Sequence, residues 1–267
     1  MAEKIKIKLL GVRGSLPVGG AAFEKYGGAT SCVSASINDE LLFLDAGTGI
    51  LAYPDFSAHK KINILLSHAH IDHLLGLPMS PFLYDRSWDV NVYLATRGEG
   101  DAKAQIRALM SPPLWPASID AVDANVVFHD VSGCFHIGSI KIESMDSHHP
   151  GGSTVFKLSA GEKSLVYATD FEHEKGYSDK LAAFARDCGV LIYDSQFLNS
   201  EYPDKRGWGH STIEEGLRMA ERCNAALTVL FHHDPLRTDD QLDEIGKLVE
   251  GAKTTCVIGR CGEEFTV

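Results

Sequence analysis

The chain has 267 residues, 44% of them hydrophobic, with 25 Lys and Arg against 36 Asp and Glu for a formal net charge of −11. That length and apolar content allow a substantial buried core and set aside a low-complexity chain. The acidic balance argues against a wide grip on nucleic acid, whose affinity comes largely from Lys and Arg on phosphates. A small anionic substrate stays compatible, because a bound metal ion reverses the local field.

In chain order, the opening "MAEKIKIKLLGVRG" alternates Lys with Ile and lacks the apolar core of a secretory signal. No window approaches a membrane span, so a cytoplasmic protein without membrane contact is expected. Strands are expected at residues 5–10, 32–37, 41–44, 62–66 and 90–94, then a helix over 100–110. "LMSPPLWPASID", residues 109–120, reads as a rigid connector, with Trp115 as an alternative wall over an active site. Further strands are expected at 140–144, 154–158, 164–168, 190–193, 226–231 and 255–258. A helix over 178–188 has Ser178 as its N-cap. Helices over 211–224 and 238–250 open on capping boxes, Ser-Thr-Ile-Glu and Thr-Asp-Asp-Gln. No Pro/Gly-rich linker divides the chain, so residues 1–267 read as a single domain of two packed sheets with helices outside. Six cysteines are scattered without a C-x-x-C pair and read as reduced, largely buried thiols.

The chemistry concentrates where apolar runs end. Asp45 follows "LLFL", His68 follows "INILLS", and His148 and His149 follow the run through Met145. Asp170 follows "SLVYAT", Asp194 follows "VLIY", and His232 with His233 follow "ALTVLF". One polar strand end is ordinary; six together suggest a shared rim, where open sheets build sites. Within "SHAHIDH", alternate residues project to one side, so His68 and His70 can meet one ion while Asp72 and His73 point to a second. Imidazole and carboxylate suit zinc or a related divalent metal. Asp170 is the best candidate for a bridge, His149 suits the first ion and His232 the second. The lone His59, His129, His136 and His173 are given no role.

The set "SHAHIDHLLGLP", "HHPGGS", "YATD", "GHST" and "LFHHDP", with "GVRGSLP", "YGGATSCV" and "LFLDAGTG" before it, resembles the metallo-β-lactamase-fold hydrolases. Within them it is closest to the ribonuclease Z-like and cyclic phosphodiesterase branch. The resemblance spans nearly the whole chain in the expected order. It implies an α/β (α+β) architecture, a four-layer αββα sandwich with a dinuclear site along one edge. It also implies His68, His70 and His149 on one ion, Asp72, His73 and His232 on the other, and Asp170 between them. The pattern puts the ligand directly before Pro-Gly-Gly, hence His149 rather than His148. Asp45, Asp194 and His233 are expected behind the ligands. Two divalent ions are implied, Zn²⁺ first, with Mn²⁺ or Fe²⁺ as alternatives.

His70 stands where oxygen-reducing members carry Glu, and His73 is present where lactamases often lack it. Both favour a hydrolase. Ala29 departs from the Asn that relatives often carry. "GWGHST" points to phosphodiesterases: His210 would serve the phosphate or leaving group beside a helix start that favours an anion, and Asp72 would orient the attacking hydroxide. The expected substrate is a small phosphodiester, a cyclic nucleotide or cyclic phosphate, attacked by a hydroxide bridging the metals. The basic arm by which ribonuclease Z grips tRNA has no counterpart after "HLLGLP", so extended nucleic acid is disfavoured. Alternatives are a tRNA 3′-processing ribonuclease, a thioesterase or lactonase on the same metals, and a non-catalytic metal-binding protein. A homodimer through loops such as 112–116 is compatible.

Overall fold

A computed structural model of the chain describes residues 4–56, 59–98 and 100–267. Strands β1 (Ile5–Gly11), β2 (Cys32–Ile37) and β3 (Glu40–Leu44) pair antiparallel, and β4 (Lys61–Leu65), β5 (Asp89–Leu94) and β6 (Asn125–Asp130) continue the sheet in parallel. The second sheet repeats that plan. Strands β7 (Cys134–Ile137), β8 (Ile140–Ser147), β9 (Ser153–Ala160) and β10 (Lys163–Ala168) are antiparallel, and β11 (Val190–Asp194), β12 (Leu227–Phe231) and β13 (Cys256–Ile258) are parallel. β14 (Glu264–Thr266) returns to pair with β1, giving two seven-stranded sheets ordered β14-β1-β2-β3-β4-β5-β6 and β13-β12-β11-β10-β9-β8-β7.

Parallel neighbours need crossovers, and helices supply most of them. The short α1 (Ile71–Leu74) lies between β4 and β5, and α2 (Ala102–Leu109) between β5 and β6. In the second half α3 (Lys175–Phe184), α4 (Ile213–Cys223) and α5 (Asp239–Glu250) each join two parallel strands. Strands buried on both faces read as continuous apolar runs, and β11 is one: Val190 and Ile192 face the core between the sheets, Leu191 and Tyr193 the helices outside. Ile7, Leu42, Phe156 and Tyr167 also meet in the central core. Ile64, Val92, Phe82 and Ile106 fill the outer layer over the first sheet, and Leu230, Ile213 and Ile245 part of that over the second. The four-layer αββα sandwich is therefore the observed architecture.

The strands that the sequence pattern does not reveal, β6, β7 and β14, all lie at sheet edges. Edge strands are short and partly solvated, so their apolar alternation is weak; β6 has no buried residue. The third helix begins at Lys175, so Ser178 lies inside it and Glu174 is the N-cap. Thr212 rather than Ser211 caps α4, accepting a hydrogen bond from the Glu215 amide. At α5 the capping box forms as expected between Thr238 and Gln241. The six cysteines are free thiols; Cys32, Cys188 and Cys223 are buried, but Cys134 on the edge strand β7 is exposed. Trp115 packs against the apolar layer over the first sheet, as a rigid connector over residues 109–120 would. Among the described residues, no helix is long and apolar enough to cross a membrane.

Candidate metal centre

The carboxyl ends of β3, β4, β8, β10, β11 and β12 converge on one rim and bring their polar residues together. Asp45, Asp170 and His232 leave their strands with positive φ of 61°, 51° and 62°, and Ser15 beside them has 61°. Left-handed backbone at non-glycine residues is uncommon, and where it clusters it marks a functional site. These turns swing the side chains inward off the strand ends.

Two groups of donors result. His68, His70 and His149 offer ring nitrogens within 4.8 Å of one another, and a carboxylate oxygen of Asp72 lies within the same distance of ring nitrogens of His73 and His232. Asp170 lies between them. Its Oδ1 is 3.7 Å from Nε2 of both His68 and His149, and its Oδ2 is 3.1 Å from His73 Nε2 and 3.3 Å from His232 Nε2. Asp72 Oδ2 lies 3.2 Å from His73 Nε2 and 3.3 Å from His232 Nε2, and accepts the Ser15 amide at 2.8 Å. His70 Nδ1 and His149 Nε2 are 3.1 Å apart. Two ligands on one tetrahedral zinc with bonds of 2.0–2.1 Å are separated by roughly 3.3 Å.

Outside these groups, the rings of His73, His149 and His232 are each held by the other nitrogen. His73 Nδ1 donates to Asp45 Oδ2 at 2.6 Å, and Asp45 is itself fixed by Ser67 and the Tyr167 hydroxyl. His232 Nδ1 donates to Gln196 Oε1 at 3.0 Å, and His149 Nδ1 donates to the Gly209 carbonyl at 3.0 Å. Gly209 has a φ of 90°, and a Cβ there would fall 2.1 Å from His149 Nδ1, so only glycine lets this backbone approach the ring. Such partners fix the tautomer and turn the Nε2 lone pairs of His73, His149 and His232 inward. His68 Nε2 and His73 Nε2 are buried without a hydrogen-bond partner. Buried polar atoms are rarely left unmatched, and two orphaned imidazole nitrogens facing carboxylates fit a cation.

The electrostatics agree. Burial lowers the pKa of His68, His70 and His149, so these rings are neutral and competent as ligands. For His73 and His232 burial acts the same way but is outweighed: Asp170 and Asp72 raise His73 well above its ordinary value and push His232 up to about 9. Asp170 and Asp72, despite burial that opposes their charge, are held below the usual carboxylate range by the neighbouring histidines. The carboxylates demand positive charge at this point, and a divalent cation answers that demand more fully than protons do.

His210 joins the rim from the loop before α4, its Nδ1 donating to Asp194 Oδ2 at 2.8 Å and lying 3.9 Å from Asp170 Oδ1. Asp194 also accepts the amides of Phe171, Gln196 and Ser211, so it fixes the loop as well as the ring. The helix start expected to favour an anion is partly engaged within the fold. At the entry to α4 the Ser211 amide goes to Asp194, that of Ile213 to the Phe197 carbonyl and that of Glu215 to Thr212. Glu214 and Glu215 add negative charge to that first turn. His233 does not support a ligand. Its Nε2 donates to the Gly259 carbonyl at 2.8 Å, and burial pushes its pKa down to about 3. His148, half-buried, stacks on Tyr177.

Three contributors carry no motif of their own. Gln196 and Glu172 each lie two residues beyond an expected acid, Asp194 and Asp170, so alternation was the available signal. Glu172 accepts the amides of Gly207 and Gly209 and the Tyr202 hydroxyl, pinning the loop that carries His210. Arg97, from the turn after β5, lines the same cavity as His68 and His70, and nothing in its local sequence singles it out.

With this geometry in view, comparison with known proteins places the chain. A family model described as "Beta-lactamase superfamily domain" matches residues 42–233. The chain is 25% identical over 237 residues to the Probable RNase MJ4 of Methanocaldococcus jannaschii, covering 80% of this chain and 53% of that protein. It is 25% identical over 256 residues to Ribonuclease Z of Pyrococcus abyssi, covering 76% of this chain and 80% of that one. The chain thus spans about half the length of the first of these relatives and most of the second. Among solved structures, the metallo-beta-lactamase fold protein YhfI of Bacillus subtilis superposes with a TM-score of 0.76 at 19% identity, covering 99% of this chain and 100% of that one.

Proposed function

This chain belongs to the beta-lactamase superfamily, and we propose that within it the protein is a dinuclear metal-dependent phosphodiesterase acting on a small phosphodiester, a cyclic nucleotide or other cyclic phosphate. The observation that carries this reading is His210, locked by Asp194 at 2.8 Å beside a bridging carboxylate between two histidine-rich groups. A thiolate leaving from a thioester needs little help from an acid, whereas the alkoxide departing from a phosphodiester is assisted by a positioned proton donor.

In this reading His68, His70 and His149 hold one divalent ion, Asp72, His73 and His232 a second, and Asp170 reaches both. Five imidazoles and two carboxylates suit Zn²⁺, with Mn²⁺ or Fe²⁺ as alternatives. When bound, the ions would lower the pKa of a water and neutralise phosphoryl oxygens. Asp72 holds Ser15 through Oδ2 and leaves Oδ1 to orient the attacking water. His210, its Nδ1 engaged, presents Nε2 to the substrate and gives a proton to the leaving oxygen. Exposed His70 marks the side from which substrate enters.

The test is turnover by metal-loaded protein of bis(p-nitrophenyl) phosphate and 3′,5′-cyclic AMP, beside a thioester and a lactone. Hydrolysis of only the thioester or lactone would sink the proposal. His210→Ala should cut phosphodiester turnover by about 10²- to 10⁴-fold while metal content, measured by plasma emission, stays at two equivalents. Loss of metal in that variant would show that His210 is a ligand. A second reading, a ribonuclease, is favoured by the names of the relatives and opposed by the net charge of −11. Cleavage of a 3′-extended tRNA with no activity on cyclic phosphates would select it.

A further inference from the structure

The cavity at the metal centre, about 100 Å³, is lined by His68, Ala69, His70, Arg97, Gln105, Gly151 and Gly152. Arg97 also lines a second cavity, of about 340 Å³, with Thr96, Ser132, Ser144 and Asp146. It is the one Lys or Arg among the described residues lining either cavity. The side chain is only 14% exposed, yet its charge is poorly matched. One Nη donates to the neutral Thr154 hydroxyl at 2.7 Å, and the other lies 3.6 Å from Asp146, a carboxylate 79% exposed. Nε is buried with no partner. A guanidinium has five donors in a planar fork suited to an oxyanion, and a mostly buried one is rarely left so incompletely bonded.

The backbone is shaped to admit it. Gly152, three residues past the ligand candidate His149, has a φ of 82°, and a Cβ there would sit 2.4 Å from Arg97 Nη1. Glycine at this point lets the guanidinium lie against the loop that carries His149.

We propose that Arg97 is a substrate-binding residue that receives a second oxyanion, a phosphate or a carboxylate, on a substrate whose scissile phosphodiester lies at His68 and His70. This rests on the phosphodiesterase reading above and narrows its substrate class to diesters bearing two anionic groups. Arg97 takes no part in bond breaking; it positions the substrate across the two cavities, with Asp146 giving way to the incoming group.

The experiment uses metal-loaded protein and three chromogenic diesters: the 5′-(p-nitrophenyl phosphate) of thymidine, the same compound with a 3′-phosphate, and the same compound with a 3′-O-carboxymethyl group. Wild-type protein should prefer at least one doubly anionic diester by about ten- to a hundredfold in kcat/KM, mainly through KM, the scale of a bidentate charge-assisted contact. Preference for the phosphate arm alone would identify the second group as phosphate. Arg97→Ala should collapse the ratio between substrates, and Arg97→Lys, which keeps the charge but loses the fork, should restore part of it. Equal activity of wild type on all three diesters, or a ratio unchanged in Arg97→Ala, overturns the proposal. Calorimetric binding of thymidine 3′,5′-bisphosphate against thymidine 5′-phosphate, to wild type and Arg97→Ala, provides an arm independent of turnover. If neither these diesters nor bis(p-nitrophenyl) phosphate and 3′,5′-cyclic AMP are cleaved, the phosphodiesterase reading falls, and this binding ratio alone judges Arg97.

Discussion

Asp170 shows how little freedom the cluster leaves its members. One oxygen faces His68 and His149, the other His73 and His232, so a single side chain couples both groups. The neighbouring pair His148 and His149 makes the contrast sharp. Both are imidazoles at the end of β8, but His149 points inward to His70 and Gly209, whereas His148 stacks on Tyr177. His149→Ala should therefore lose metal from the His68 group, and His148→Ala should keep both equivalents and its activity within about twofold, the range of a surface change. Plasma emission on dialysed protein decides it, and metal loss from the His148 variant would reverse the assignment. At this scale the histidines and aspartates were legible because few other uses explain so many at strand ends. Arg97 and Glu172 were not, since an isolated Arg or Glu in a loop is usually a solvated charge.

Strand ends and helix starts show which local rules survive packing. The box at Thr238 forms because its two partners, Thr238 and Gln241, lie three positions apart in one segment and bond to each other. Thr238→Ala should cost about 1 kcal/mol, read as a lower urea midpoint with unchanged slope. The entry to α4 is different. There Ser211 is drawn into contacts with Tyr193 and His173, and its amide into Asp194, so Thr212 takes over the cap. A neighbour 17 positions away in sequence overrides a local preference, and that neighbour is the residue that orients His210. The edge strands β6, β7 and β14 make the same point for sheets. Their assignment comes from hydrogen bonds to a paired strand, not from an apolar period of their own.

Across the whole molecule, two sheets with the same antiparallel-then-parallel order present strand ends to one shared rim. Buried charge at that rim is costly, and a cation that satisfies it should stabilise the fold by mass action. Stripping metal with a chelator should lower the melting temperature, and two equivalents of Zn²⁺ should restore it. At free metal of 1,000 times Kd per site, linkage gives about 4 kcal/mol. A melting curve indifferent to chelator and zinc would mean that the cluster binds no ion. By itself, the amino-acid sequence determined the apolar runs, their order, the self-contained cap at Thr238 and the residue types able to hold metal, because these depend on neighbours a few positions apart. Only the tertiary structure decided which histidine of each pair faces inward, that three amides at the α4 entry are already engaged, and that Arg97 lines the same cavity as His68 and His70. Those outcomes depend on contacts between segments tens to hundreds of residues apart, where packing and competition for hydrogen-bond partners, not local pattern, set the result.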